Sequence, residues 1–490
     1  MIAKRVGRRG SPNGAELEVA LILPDRGSGR TRRELYEQMR NAIRAGRLAA
    51  GLKMPASRRL AGRLGVSRNT VTMVYELLVS EGLLLTRLGA GTYVAGGHAP
   101  ARRKTPLDMA ERLRPISPRW RPTVFGPEIR YPFVVGAPDH RAFPWDLWRK
   151  IVNRTLRAYG RAAARLPPEG LPALREGVAG HLSFTRGIAC DAEDVIVTSG
   201  AQQAFDLLAR VLVHRPGLVV AVEDPCYPPT RLAFIAAGAK VVGVPVDDEG
   251  LVVGALPPEA EVICVTPSHQ FPLGVPMSPK RRQSLLAHAR RVGSVVIEDD
   301  YDGEFRFDGR PLEALQTLDT SQQVIYVGTF SKSLFPDLRL GYVVAPEWLR
   351  EPLLAVKQIN GHPAYATQQT TATFIAEGHL ARHVRRMRRI YGERRQALLD
   401  VVDQGPDWLS PFPTSAGLHM TLRLPPGFDA WRMVAVAAER GVGAYPASVF
   451  GVNAQQDGLV LGYGVLEANH VRSGALALLE AIDSVARGRA

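Results

Sequence analysis

Lys332 lies in the stretch GTFSKSLFPDLRLGY (328–342), on a short hydroxyl-flanked turn behind the apolar run QVIYVG (323–328). Arg339 follows seven residues on, and Thr329 and Ser331 flank the lysine. A lysine amine condenses with aldehydes, and hydroxyls with an arginine hold a phosphate. A solvated loop lysine would look the same on this stretch alone. Three other sites share the placement. Ser199-Gly200-Ala201-Gln202 follows VIVT and opens a helical pattern, where free backbone N–H groups face an anion. Tyr227, in VEDPCYPP, stands just past another apolar run, where a flat ring can stack on a second ring. VVIEDDYDGEF ends a third run in Asp299, Asp300 and Tyr301. A buried carboxylate there keeps a pyridine nitrogen protonated, and the tyrosine can hydrogen-bond a phenolate oxygen.

Each site alone has a plainer explanation: a helix cap, a core tyrosine, a solvated carboxylate. Together they answer the four handles of one molecule, an aldehyde, a pyridine nitrogen, a phenolate and a phosphate. That molecule is pyridoxal 5'-phosphate, PLP. No metal is expected, because the three cysteines (Cys190, Cys226, Cys264) are scattered without ligand spacing and fit a reducing cytosol.

Seven β-branched runs, DVIVTS, LVVAVED, KVVGVPV, EVICVTP, SVVIEDD, QVIYVG and LGYVVAP, alternate with helical patterns such as AQQAFDLLARVLV. Near-continuous apolar strands separated by helices predict an α/β fold with a mostly parallel sheet. Ligands in such sheets bind at the carboxyl ends of the strands, where all four sites fall.

The N-terminal part is built differently. TRRELYEQMRNAIRAG predicts a helix opened by Thr31 and Glu34, with Leu35, Met39 and Ile43 inward and a stop at Gly46. Ser57 is the expected cap of a second helix, with Leu60, Ala61 and Leu64 inward and Gly65 as its end. Ser67 caps a third, RNTVTMVYELLVSEG, with Val71, Val74, Leu77 and Leu78 inward, and LLLTRLGAGTYVA forms a two-stranded wing. Three short helices and a wing predict a winged helix-turn-helix, although any small three-helix domain shares part of this pattern. Candidate contacts to double-stranded DNA are Ser57, Arg58, Ser67, Arg68, Asn69 and Thr70, with Arg87 and Gly91 of the wing near phosphate or the minor groove. The formal net charge of +15, with much of the excess before residue 125, fits a polyanionic partner.

At 490 residues the chain exceeds one core. The expected division is a disordered basic tail (1–30), the winged helix (31–96), a Pro/Arg-rich linker (97–135) and the α/β domain (136–490). No run reaches the ~18–20 apolar residues of a membrane span, and no apolar segment follows the basic N-terminus. A cytoplasmic protein is expected.

SRRLAGRLGVSRNTV and EGLLLTRLGAGTYV resemble the DNA-binding module of GntR-type bacterial regulators. EGLPALR, TSGAQQAF, VEDPCY, TPSHQFPLG, IEDDYDGEFRF and GTFSKSLFPDLRLGY resemble fold-type I, aspartate-aminotransferase-like PLP proteins. The whole chain thus resembles a MocR/GabR-type regulator of the GntR superfamily. The resemblance implies Lys332 as the Schiff-base lysine, Asp299 at the pyridine nitrogen, Tyr301 at the phenolate and Tyr227 stacked on the ring. It implies a phosphate cradle of Gly200, Ala201, Gln202, Thr329 and Arg339, and a head-to-tail homodimer. Three places depart from the aminotransferase pattern. SHQFPLG has Phe271 where an asparagine precedes the proline, which leaves the ring oxygen to His269 or Gln270. Val460, in GLVLGYG, takes the slot of the arginine that grips an α-carboxylate. AAARLPPEG lacks the tyrosine that reaches across the dimer to the phosphate.

These readings lead to a PLP-dependent transcriptional regulator that senses a small amine or PLP itself and is not an enzyme, with at most a residual transamination half-reaction. An active aminotransferase with an accessory DNA-binding domain, and a cofactor-free dimerisation scaffold, are the alternatives.

Overall fold

The structure, a computed structural model, describes residues 31–87, 89–95, 125–159, 166–307, 312–453 and 457–488. The expected tail (1–30) and most of the expected linker (97–124) lie outside the described residues. The chain divides into two compact units, Met1–Arg114 and Pro115–Ala490.

In the first unit, α1 (Thr31–Arg44), α2 (Ser57–Leu64) and α3 (Arg68–Ser80) precede an antiparallel hairpin of β1 (Leu84–Arg87) and β2 (Gly91–Val94). Leu35, Met39 and Ala42 are the fully buried residues of α1, and Ile43 is only half-buried. Val71, Val74, Tyr75 and Leu78 form the inward stripe of α3, while Leu77 is exposed. The spacing i, i+3, i+4, i+7 explains both differences from the expected core: it takes Tyr75 in and turns Leu77 to the next face. Ser57 also departs from expectation. It is the first helical residue of α2, Ala56 stands at the cap position, and among the described residues no side chain caps that end. Gly65 ends α2 at φ 67°, where a side chain would meet its own backbone, and its N–H donates to Ala61 O.

The second unit is built on an eight-stranded sheet. Its strands are β4 (Val195–Thr198), β5 (Val219–Asp224), β6 (Lys240–Asp247), β7 (Gly250–Leu251), β8 (Ala260–Val265), β9 (Val295–Asp300), β10 (Val324–Thr329) and β11 (Gly341–Val344), in the order β4-β11-β10-β9-β8-β5-β6-β7. The central pairs β10/β9, β9/β8, β8/β5 and β5/β6 are parallel; β11 runs antiparallel to both neighbours. All seven expected strands form. The two-residue strand β7 was too short to show in the sequence pattern.

Alternate residues feed the two faces. Val220, Val222, Ile297 and Val327 join the cluster under the helices Ala201–Leu212 and Pro228–Ala236. Val219, Ala221, Val296 and Val324 join the one under Pro279–Val292. Both faces are covered, so the strands must be apolar throughout and polar groups collect at their ends.

A four-stranded sheet, β12 (Ser410–Pro411), β13 (His419–Arg423), β16 (Gly458–Gly462) and β15 (Tyr445–Pro446), packs with the helices Ala430–Glu439 and Ala468–Arg487. A further two-stranded pair joins β3 (Tyr131–Pro132) to β14 (Val442–Gly443) in parallel. Residues 125–135, the last part of the expected linker, are therefore packed into the second unit. Among the described residues no helix is long and apolar enough to cross a membrane.

Candidate functional site

Strand ends bring the candidate residues to one cavity of about 420 Å³. β10 ends at Thr329, and the chain turns through Ser331 and Lys332 and a single 3-10 turn before Arg339. Arg339 takes φ 48°, a left-handed conformation in a non-glycine residue that re-aims the chain into β11. β4 leads into Gly200, at φ 80°, the cap position of the helix Ala201–Leu212. A Cβ at Gly200 would lie 3.8 Å from the Arg339 guanidinium carbon, so the helix N-terminus and the arginine form one cationic corner. β5 is followed by Tyr227, the cap position of the helix Pro228–Ala236, and β9 ends with Asp299 and Asp300 just before Tyr301.

Eight of the ten expected cofactor residues line the cavity: Ala201, Gln202, Tyr227, Asp299, Tyr301, Thr329, Lys332 and Arg339. Gly200 stands at the corner beside Arg339. His269 does not reach the cavity. Its ring is buried behind Tyr301, with Nδ1 3.0 Å from Asp302 Oδ2 and Nε2 3.2 Å from Thr414 Oγ1. The carboxylate holds the imidazole inward, away from the place expected for it at the ring oxygen. Gln270 is also turned away, its amide donating to Pro225 O and Phe271 O at 2.8 Å each. Tyr301 Oη lies 3.0 Å from His269 O and 2.9 Å from its Nδ1, so His269 acts behind the tyrosine. Val460 is fully buried on β16, paired with Tyr445, in an apolar cluster with Phe271, Tyr301 and Phe450.

Charge within the site is unevenly satisfied. Strand alternation sends Asp299 and Asp300 to opposite faces of β9. Asp300 meets Arg186 at 2.7 Å and accepts from Tyr326 Oη at 2.5 Å. Asp299 is 7 % exposed, and its Oδ1 has no hydrogen-bond partner among the described residues. Burial, with Asp300 and Asp302 adding repulsion, pushes its proton affinity well above the usual carboxylate range, and Lys332 only partly offsets this. Burial lowers the affinity of Lys332 for its proton, with Asp302 and Asp299 opposing. Lys332 Nζ donates to Gly136 O at 2.5 Å. Deeper still, Glu223 accepts from Thr266 N at 3.1 Å and Thr266 Oγ1 at 2.5 Å, and burial raises its pKa to about 7.

The remaining cavity wall includes Val134, Val135 and Gly136 on one side and Phe271, Tyr445, Val449 and Phe450 on another. Apart from Phe271, none of these was marked in the sequence. YPFVVG, a short apolar run ended by glycine right after the Pro/Arg-rich stretch, was the signal for the first group. The described lining residues that carry a cation are Lys332 and Arg339.

In the first unit, Ser67 Oγ accepts from Thr70 N at 3.1 Å and lies 2.8 Å from Thr70 Oγ1, so both side chains are engaged in capping α3. Arg68 and Asn69 are exposed beside them. Arg58 is also exposed, Ser57 is half-buried, and Arg87 lies over the Tyr93 ring at 5.0 Å. Gly91, at φ 106°, opens β2 against Lys53. A cleft of about 680 Å³ runs between α3 and the wing, lined by Lys53, Ser57, Thr72, Glu76, Thr86 and Gly91 among others.

Residues 31–94 match the model of bacterial regulatory proteins of the gntR family, and residues 136–459 match aminotransferase class I and II. The chain is 37 % identical to the probable rhizopine catabolism regulatory protein MocR of Rhizobium meliloti, over 92 % of this chain and 93 % of that one. It is 33 % identical to the HTH-type pyridoxine biosynthesis transcriptional regulator PdxR of Corynebacterium glutamicum, over 93 % and 96 %. Among solved structures it is similar to the α-aminoadipate aminotransferase LysN of Thermus thermophilus, complexed with N-(5'-phosphopyridoxyl)-L-leucine. That match has a TM-score of 0.67 and 30 % identity, covering 74 % of this chain and 94 % of that one.

Three expectations follow. Arg68→Ala or Asn69→Ala should weaken specific DNA binding by ~1–3 kcal/mol if these exposed side chains make base-edge contacts. Ser67→Ala instead lowers the stability of α3 by ~1 kcal/mol, as loss of a cap does. Gel-shift titration and thermal melting separate the two. Glu223 binds its proton more tightly folded (about 7) than at its ordinary value of 4.5. Its contribution to stability is thus full below pH 4.5 and lost as pH rises through about 7. Urea midpoints of the wild type relative to Glu223→Gln should fall across that window; a constant difference would refute the buried-acid assignment.

Proposed function

The chain belongs to the MocR/GabR-type transcriptional regulators of the GntR family, and on that premise we propose that its second unit holds PLP and turns the binding of a small amine, or of PLP itself, into a change in operator binding. The observation that carries the cofactor reading is Asp299 Oδ1, a buried carboxylate oxygen without a partner in the same cavity as Lys332. A pyridinium N–H is the charge-assisted donor such an oxygen requires. When bound, PLP supplies an aldehyde on a ring that draws electrons once its nitrogen is protonated.

The chain's own residues divide the remaining tasks. Burial leaves the Lys332 amine readier to lose its proton, which is the state that attacks an aldehyde. Asp299 would hold the proton at the pyridine nitrogen. The N-terminal amides of the helix Ala201–Leu212, with Gln202, Thr329 and Arg339, would bind the phosphate dianion. Tyr227 would cover a face of the ring, and Tyr301, steadied by His269, would stand at its oxygen edge.

The wall of Phe271, Tyr445, Val449 and Phe450, with Val460 behind it, offers no fork for a carboxylate. A carboxylate there would go unpaired, a cost on the order of a few kcal/mol. Ordinary α-amino acids would therefore bind poorly and turn over negligibly. The effector would be an amine without an α-carboxylate, or PLP acting by occupancy. The chain would act as a head-to-tail homodimer in the cytosol, with one winged helix from each copy on the operator.

Borohydride treatment of the wild type with PLP should fix the cofactor to Lys332, and Lys332→Ala should remove the reducible link while the protein stays folded. The same preparation, titrated with α-amino acids and with amines lacking a carboxylate, should change its visible absorbance and operator affinity only with the second group. Keto-acid formation over many turnovers from an ordinary amino acid would overturn the regulator-only reading.

A further inference from the structure

We infer that residues 125–137 form a strap that carries occupancy of the cavity toward the DNA-binding unit. The inference rests on the reading of that cavity as the PLP and effector site. One edge of the strap is cavity wall, formed by Val134, Val135 and Gly136. Its other end, Phe125, follows directly on the segment that leads from the winged helix.

The strap lies in a trough of glycines. A Cβ at Gly443 would stand 2.7 Å from the Phe125 ring, and one at Gly474 2.8 Å from Tyr131. A Cβ at Gly462 or Gly464 would run into the carbonyls of Val134 and Ala137. Each glycine is there because backbone or ring passes too close for a side chain. Within the trough the strap is tied by backbone bonds: Tyr131 N–H donates to Gly441 O (2.8 Å), Phe133 N–H to Gly443 O (3.0 Å), and Gly462 N–H to Phe133 O (3.1 Å). Phe125 packs on Tyr445, itself a wall residue, with ring centroids 5.1 Å apart.

The tie to the chemistry is one hydrogen bond. Lys332 Nζ donates to Gly136 O, and Gly136, at φ 69°, leaves no room for a Cβ, which would lie 2.8 Å from that nitrogen. When the neutral lysine amine condenses with an aldehyde, a carbon–nitrogen bond forms and the aldehyde oxygen leaves as water with the two amine hydrogens. Those hydrogens are the ones the free amine offers to the Gly136 carbonyl. Condensation thus removes the strap's donor at one end, while a ligand against Tyr445 presses on the residue that seats Phe125 at the other. Both events act on the first described residues of the second unit.

The test uses full-length protein, PLP, and a duplex selected by the protein from a random pool. In the wild type, PLP should change operator affinity on the order of 5–150-fold, and operator should change PLP affinity by the same factor. Phe125→Ala should keep PLP affinity and PLP-free operator affinity within about twofold while the coupling factor collapses toward one. Phe125→Leu, which keeps an apolar plug on Tyr445, should recover much of it. Amide exchange of residues 131–137 in the wild type should change on adding PLP, which tests the strap even where a variant fails to fold. Unchanged exchange there, or full coupling in Phe125→Ala, overturns the strap alone. A wild type that forms no reducible link with PLP overturns the cavity reading itself.

Discussion

A carboxylate at the end of a doubly covered sheet cannot stay ionised without a cation to face. The second unit is organised around that constraint. β9 delivers Asp299 and Asp300 side by side, and one of them is answered internally: Arg186 and Tyr326 pair Asp300 from the opposite face. Asp299 is left with an unsatisfied oxygen among like charges, which is costly in a medium of low dielectric. The nearby lysine does not quench it, because Lys332 is itself desolvated and donates to a backbone carbonyl. A protonated heteroaromatic ring would satisfy Asp299, and an aldehyde on it would react with Lys332. The two desolvated groups therefore support the same proposed ligand.

The support behind this pair is a second layer of buried acids, each with its own role. Asp302 orients His269, His269 steadies Tyr301, and Glu223 clamps the turn that carries Thr266 and Gln270. None of these groups lines the cavity: His269 holds Tyr301, which does, Asp302 acts through His269, and Glu223 holds the turn whose Thr266 hydroxyl accepts from the N–H of the wall residue Phe271. Buried polar groups of this kind hold their neighbours through the bonds they do make. Glu223 Oε1 is itself unpartnered among the described residues, so an open oxygen alone names no ligand; what sets Asp299 apart is that it lines the same cavity as Lys332.

Much of this was legible in the sequence for a physical reason. Strands buried on both faces must be apolar throughout, so seven β-branched runs were visible, and the polar residues just after them marked the strand ends. Lys332, Asp299, Tyr301, Tyr227 and Arg339 were found that way. What the sequence hid depends on partners far along the chain. His269 looks inward because of Asp302, 33 residues on, and no local pattern signals that. Tyr445 and Phe450 reach the cavity only once β15 and β16 have paired. Residues 125–135 looked like linker because their order comes from glycines more than 300 positions later, whose reason for being glycine appears only in three dimensions.

That last dependence bears on how a signal could leave the cavity. A segment held by ordinary side-chain packing can relax by small, scattered adjustments, which dissipate a displacement. Residues 125–137 have little such freedom. Their backbone is pressed against Gly462 and Gly464, and the Phe125 ring against Gly443, so the contacts are main chain to main chain or ring to main chain. Close-packed arrangements of that kind yield in discrete steps, because intermediate positions clash. A second seating of this strap, opposed at one end by a hydrogen bond to Lys332 and at the other by a ring on Tyr445, would give what a ligand-driven switch requires. Its size is set only by how unequally the ligand favours the two seatings, and tight binding alone would move nothing.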